Sequence, residues 1–205
     1  MWRRALLLYL AFGSTAFPAE MPGRVLFLGG GESISACADC HGATGEGNTQ
    51  SGFPALAGQP EAYLAKQLQD YRSGLRASSI MEPIARQITP SQAGSINAYI
   101  ATLPAPASIS AGASNLGRQL ALVGKWEVGV PPCDKCHGTN GRAIAPHFPA
   151  LAGQRSAYII DSLEAFRSEA RRNDPLGLMR KVAKELTREE VAAAAHYYQA
   201  QGRKP

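Results

Sequence analysis

Cysteine is scarce in this chain: four residues among 205. That number excludes a disulfide-dense scaffold and shifts attention from how many cysteines there are to how they are spaced. Histidine is equally scarce, with four residues. Long apolar runs are lacking. The stretch Ala5–Phe12 has eight residues, well short of the about 20 that a bilayer span needs. No segment alternates apolar and polar residues long enough to mark a strand, so the pattern predicts an all-α fold with long loops. The 18% charged and 45% apolar residues are those of a globular chain. The net charge of +5 raises the question of a nucleic-acid or anionic-membrane partner.

What is present begins with an address. Arg3 and Arg4 precede the short apolar stretch, and small residues follow at Ser14-Thr15-Ala16 and Phe17-Pro18-Ala19. This is the pattern of a secretory signal peptide over residues 1–19, cleaved after Ala16 or Ala19. An uncleaved interfacial anchor is the alternative. The expectation is a soluble, exported protein in the periplasm, a compartment that tolerates oxidised thiols.

The rest of the chain is written twice. Phe53-Pro54-Ala55-Leu56-Ala57-Gly58-Gln59 returns letter for letter at residues 148–154, an offset of 95. Tyr63, Leu68 and Arg72-Ser73 match Tyr158, Leu163 and Arg167-Ser168 at the same offset, and Met81 matches Met179 at 98. Two tandem domains follow, residues 20–103 and 114–205, joined by a proline-bearing linker over 104–113. Each unit predicts the same helices: a short one before the cysteines, an amphipathic one near Glu61–Ser73, and a last one opened by Thr89-Pro90 or by the capping box Thr187-Arg188-Glu189-Glu190. Leu64, Leu68 and Tyr71, with Ile159, Leu163 and Phe166 in the second unit, form the buried stripe.

Cys37-x-x-Cys40-His41 and Cys133-x-x-Cys136-His137 carry the chemistry. Two thiols three positions apart share one face of a helical turn, where they add across the two vinyl groups of one porphyrin, and the adjacent imidazole reaches the iron. A thioredoxin-like pair would want a preceding strand. A zinc site needs four ligands, and two Cys plus one His leave it one short. Disulfides would leave His41 and His137 unexplained. The reading is two covalently attached haem c groups.

Met81 and Met179 are the only methionines beyond Met1 and Met21, and they fall at equivalent places. They are assigned as the second axial ligands, which gives each iron a His/Met pair: His41 with Met81, His137 with Met179. A thioether raises the reduction potential, and a six-coordinate iron leaves no open site for oxygen or peroxide. The pattern therefore points to electron transfer and away from catalysis. Pro54 and Pro149 are candidates to offer the carbonyl that orients each histidine, or else they only shape a turn. His147 is the one rival ligand, read as a loop histidine; His196, among alanines on the last helix, reads as packed or partly exposed.

These motifs, each present twice, resemble those of the dihaem cytochromes c of the c4 type over nearly the whole mature chain. Arg172-Asn173-Asp174-Pro175 ahead of Met179 also fits, whereas Arg76-Ala77-Ser78-Ser79 ahead of Met81 departs from the pattern. The resemblance implies two cytochrome c folds about a pseudo-two-fold axis with haem propionates near each other. It also implies periplasmic delivery of single electrons between respiratory complexes, from a quinol-oxidising complex or dehydrogenase toward a terminal oxidase. Docking on membrane complexes would be transient. Two alternatives are a dedicated electron-accepting subunit of a periplasmic dehydrogenase, and a dihaem peroxidase.

Charge then reads differently. Without residues 1–19 the formal charge falls to +3, because Arg3 and Arg4 leave, and about four propionates bring the holoprotein near neutrality. No nucleic-acid partner is expected. Residues 20–110 carry −2 and residues 111–205 carry +5. Arg171, Arg172, Arg180, Lys181 and Lys184 lie near the second Met. They form either a solvated helix face or a rim that docks an acidic redox partner.

Overall fold

The computed structural model describes residues 21–109 and 115–202. The expected signal segment, residues 1–19, and the 110–113 part of the linker lie outside the described residues. The chain forms two units of like design.

In the first unit, α1 (Pro22–Gly29) starts with proline in its first turn and leads to α2 (Ala38–His41), which carries the first cysteine motif with Cys37 as its N-cap. Then come α3 (Glu61–Ser73), α4 (Met81–Gln87) and α5 (Pro90–Thr102). Helix α3 stops where Gly74 takes the left-handed conformation. The second unit repeats the order with α6 (Asn115–Leu122), α7 (Cys133–His137), α8 (Ser156–Arg167), α9 (Leu178–Glu185) and α10 (Arg188–Gln199). Both last helices open with a full capping box: Thr187 with Glu190, as read from the sequence, and Thr89 with Gln92.

One element breaks the all-helical pattern. Strands β1 (Arg142–Ile144) and β2 (Phe148–Ala150) pair antiparallel, Arg142 opposite Ala150 and Ile144 opposite Phe148. Three residues are too few for a visible alternation, and the fold remains a mostly helical one.

Each unit is held by the crossing of its first and last helices, α1 on α5 and α6 on α10. The crossing is close because glycine stands at the contact. A Cβ at Gly117 would lie 2.2 Å from the Ala193 carbonyl oxygen, and one at Gly23 would lie 1.8 Å from that of Ser95. The first core gathers Phe27, Leu64, Ile88, Ile96, Tyr99 and Ile100; the second gathers Leu120, Val130, Ile159, Leu163, Phe166, Val191 and Tyr198. The stripe on α8 is fully buried, and on α3 Leu64 and Tyr71 are buried with Leu68 half-buried.

Helix α3 also buries polar residues, Gln67 and Asp70, on a further face. That face meets the other unit. Arg76 and Arg171 pair as an antiparallel bridge, flanked by hydrogen bonds from Ala77 N–H to the Ala170 carbonyl and from Arg172 N–H to the Leu75 carbonyl. Both guanidinium groups are buried. Arg76 donates to the Tyr158 hydroxyl at 2.8 Å and Arg171 to that of Tyr63 at 3.1 Å. Asn173 adds bonds to Gln67 and Asp70. The two units are thus joined by reciprocal polar contacts.

Candidate haem sites

Each cysteine motif sits on one turn of helix, so the two thiols share a face and the histidine closes the turn. None of the four cysteines is tied in a disulfide, and all are of intermediate exposure.

His41 and His137 are 6% and 7% exposed. Nδ1 of His41 lies 2.9 Å from the Pro54 carbonyl oxygen, and Nδ1 of His137 lies 2.9 Å from that of Pro149. A carbonyl only accepts, so Nδ1 carries the hydrogen and Nε2 carries the lone pair. Burial lowers the pKa of both rings, against the opposing pull of these carbonyls, and keeps the imidazoles neutral. Phe53 and Phe148 stand edge-on to the rings, with centroids 6.2 Å away in each unit. A neutral imidazole with Nδ1 engaged and Nε2 turned to a ligand is the state a metal-bound histidine needs. Beside a pair of protein thiols, it fits a porphyrin attached through both cysteines. Among the described residues no group of three or more His, Cys, Asp or Glu is placed to hold a bare metal ion.

The two methionines open corresponding helices. Met81 is the first residue of α4, its N–H bonded to the Ser78 hydroxyl at 3.0 Å. Met179 lies in the first turn of α9 and packs against the second core together with Cys133. The approach differs between the units, as the departure of residues 76–79 from the family pattern led one to expect. In the first unit Ser78 turns the chain directly into α4, and its N–H binds Glu82 at 2.9 Å. In the second, Asp174 accepts from the N–H and Nε of Arg180, both at 2.9 Å, and a 3-10 turn over Pro175–Gly177 follows.

Sequence reasoning passed over the residues that fix these helices. Arg72 Nε donates to the Ala85 carbonyl at 2.7 Å and its Nη2 to that of Ile88. Arg167 grips Ala183 at 2.8 Å and Leu186 at 2.6 Å in the same way. The repeat of Arg72 as Arg167 was the signal available. Asp134, inside the second cysteine motif, accepts from the Tyr198 hydroxyl at 2.7 Å and the Asn140 N–H at 2.8 Å, which ties α7 to α10.

His147 and His196 are both exposed, His147 in the turn between β1 and β2. The basic cluster changes membership: Arg171 is buried at the junction. Arg180 pairs with Asp174 at 2.9 Å and Lys184 with Glu169 at 2.6 Å, while Lys181 makes no ion pair among the described residues. Leu176, at 96% exposed and with φ of 58°, projects beside this group, next to half-exposed Leu178.

Comparison with known proteins follows the same lines. A family model described as cytochrome c matches residues 23–104 and 131–200. The chain is 39% identical over 188 residues to a thiosulfate dehydrogenase electron acceptor of Stutzerimonas stutzeri, covering 89% of this chain and 87% of that one. A solved thiosulfate dehydrogenase from Marichromatium purpuratum superposes with a TM-score of 0.83 at 36% identity, covering 88% of this chain; this chain spans only 40% of that one. Reduced cytochrome c4 from Pseudomonas stutzeri superposes with a TM-score of 0.76 at 32% identity, covering 80% of this chain and 93% of that one.

Proposed function

Since the chain belongs to the cytochrome c family, as a two-domain member of the c4 kind with two covalently attached haem c groups, we propose that it is the periplasmic electron acceptor of a dehydrogenase acting on thiosulfate. The observation that supports this reading is the match to electron acceptors of that name over almost the whole of both chains. A shuttle from other donors toward a terminal oxidase is the second reading, favoured by the likeness to cytochrome c4. The peroxidase alternative would need an iron free of a methionine ligand, and the equivalent placement of Met81 and Met179 in the first turns of α4 and α9 argues against it.

Cys37 and Cys40 hold the first haem through thioether bonds, Cys133 and Cys136 the second. His41 and His137 bind iron through Nε2, oriented by the carbonyls of Pro54 and Pro149. Met81 and Met179 supply the thioether ligands, kept in place by Arg72 and Arg167. Haem held there would supply one-electron chemistry. The carbonyls of Pro54 and Pro149 hold the two histidines, and Arg72 and Arg167 hold the helices that carry the methionines, so the residues that would bind the group are positioned by the protein itself. The apolar tip at Leu176 and Leu178, with Lys181 beside it, is the face offered to the donor enzyme. Among the described residues no helix is long and apolar enough to cross a membrane.

The test mixes oxidised holoprotein with a thiosulfate dehydrogenase and its substrate and follows haem reduction. Rapid reduction of both haems, absent without the enzyme, is expected. Failure to be reduced, while an unrelated cytochrome c is reduced, overturns the donor assignment. The ligand assignment is tested by Met81→Ala and Met179→Ala, each of which should remove one of two Met-type ferric signatures. Two unchanged signatures would refute it.

A further inference from the structure

The repeated heptapeptide ends in Gln59 and Gln154, and each of these side chains reaches across to the opposite unit. The Gln154 side chain is 3% exposed; its Oε1 accepts from the Ala55 N–H at 2.8 Å and its Nε2 donates to the Ala55 carbonyl at 2.9 Å. Gln59, at 8% exposed, makes the mirror pair with Ala150, at 3.0 Å and 2.9 Å.

The positions matter more than the bonds. The Ala55 N–H and the Pro54 carbonyl belong to one peptide group. That carbonyl accepts the Nδ1 hydrogen of His41 at 2.9 Å. The Ala150 N–H and the Pro149 carbonyl likewise share a peptide, and that carbonyl accepts from His137 at 2.9 Å. Each histidine is therefore the end of a chain of two hydrogen bonds that begins on a glutamine of the other unit: Gln154 to the Pro54–Ala55 peptide to His41, and Gln59 to the Pro149–Ala150 peptide to His137.

We propose that Gln59 and Gln154 are crossed positioning residues, each setting the donor strength of the histidine ligand in the other unit and with it the potential of that unit's haem. The inference rests on His41 and His137 being the iron ligands. An acceptor on a peptide N–H polarises the peptide and makes its carbonyl oxygen more negative, since hydrogen bonds in series strengthen one another by about 10–30% per bond. A stronger acceptor on Nδ1–H gives the ring more imidazolate character, and a more basic ligand favours ferric iron. Removing the glutamine oxygen weakens the series and raises the potential of the crossed haem. The bidentate grip adds position: it fixes the peptide plane, and so the direction from which the carbonyl meets the ring.

The experiment uses the full-length holoprotein with Gln154→Met and Gln59→Met, which keep side-chain length and remove both polar atoms. Reduction is followed haem by haem, with the two units distinguished by the NMR resonances of their axial methionines. Gln154→Met is expected to shift the reduced-to-oxidised ratio of the His41 haem toward reduced by about threefold, or ~28 mV at 59 mV per tenfold for one electron, and to leave the His137 haem unchanged. Gln59→Met should do the reverse. Gln154→Glu and Gln59→Glu retain an oxygen on the alanine N–H, so neither should raise the crossed potential; should a Met variant fail to assemble, this pair carries the test. A shift confined to the substituted residue's own unit overturns the proposal. So does no shift, or a rise in the Glu variants equal to that in the Met variants. Failure of the ligand reading would show separately, as wild-type Met-type signatures that survive Met81→Ala and Met179→Ala.

Discussion

Arg76 bonds to the Tyr158 hydroxyl at 2.8 Å across the junction between the two units. Burial alone would push this phenol up, but Arg76 and then Arg171 overcome it and hold Tyr158 below the ordinary tyrosine value. Tyr63, its counterpart, is dominated by burial and raised. A phenol whose folded value is depressed stabilises the fold above its unfolded value, near pH ~10, and loses that contribution as pH falls through the folded value. The protein should therefore gain stability relative to Tyr158→Phe as pH rises from neutral toward ~10. Arg76→Met should return the phenol upward and cost about 2–3 kcal/mol by leaving buried partners unbonded. Phenolate absorbance titration and urea unfolding at two pH values check both.

Arg167 should be needed for the position of Met179 rather than for the core itself. Lysine cannot span the Ala183 and Leu186 carbonyls with two forked donors. Arg167→Lys is expected to lose about 1–3 kcal/mol and to broaden or displace the Met-type signature of the second haem alone. Denaturant unfolding read together with unit-resolved NMR tests this. Equal disturbance of both haems would refute it.

Gly117→Ala should destabilise the second unit even though alanine is the better helix former. Its Cβ would come 2.2 Å from the Ala193 backbone oxygen, so α6 and α10 must separate. The expected loss is about 1–3 kcal/mol, the range for overpacking. Thermal unfolding of the holoprotein reads it directly.

Leu176 has almost no packing to lose. Leu176→Ser should change stability by no more than about 0.5 kcal/mol while slowing electron uptake from the dehydrogenase several-fold. Lys181→Glu should slow it too, with an effect that fades as salt rises toward ~1 M. Stopped-flow reduction across ionic strengths measures both. The ion pairs at Arg180 and Lys184 limit how steep the salt dependence becomes.

Much of this molecule could be read locally. Helices α3 and α10 fall where periodicity and end signals place them: α3 runs from Pro60 to a left-handed Gly74, and α10 opens on the capping box of Thr187 and Glu190. The carbonyls of Pro54 and Pro149 stood open between two roles in the sequence, and the structure sets both against the histidines. The hairpin around His147 is not legible in the sequence, because three-residue strands carry too little alternation. By its nearness to Met179 in sequence, Arg171 reads as one of the surface charges. Its actual partners, Tyr63 and Gln67, lie 108 and 104 residues away, a separation no local pattern spans. The same applies to Gln59 and Gln154, conspicuous as repeats but silent about which unit they serve.

A duplicated domain is ordinarily free to drift, since each copy answers only for its own fold. Here the grip of Gln59 on Ala150, and of Gln154 on Ala55, removes that freedom. A harmful change at either glutamine falls on the sister copy, and a half-gene expressed alone would leave its Ala55 or Ala150 peptide without the partner that was built for it. The two copies are bound as heirs to one inheritance: either may acquire a new surface, but a change to its half of the shared motif is felt at the Ala55 or Ala150 peptide of the other.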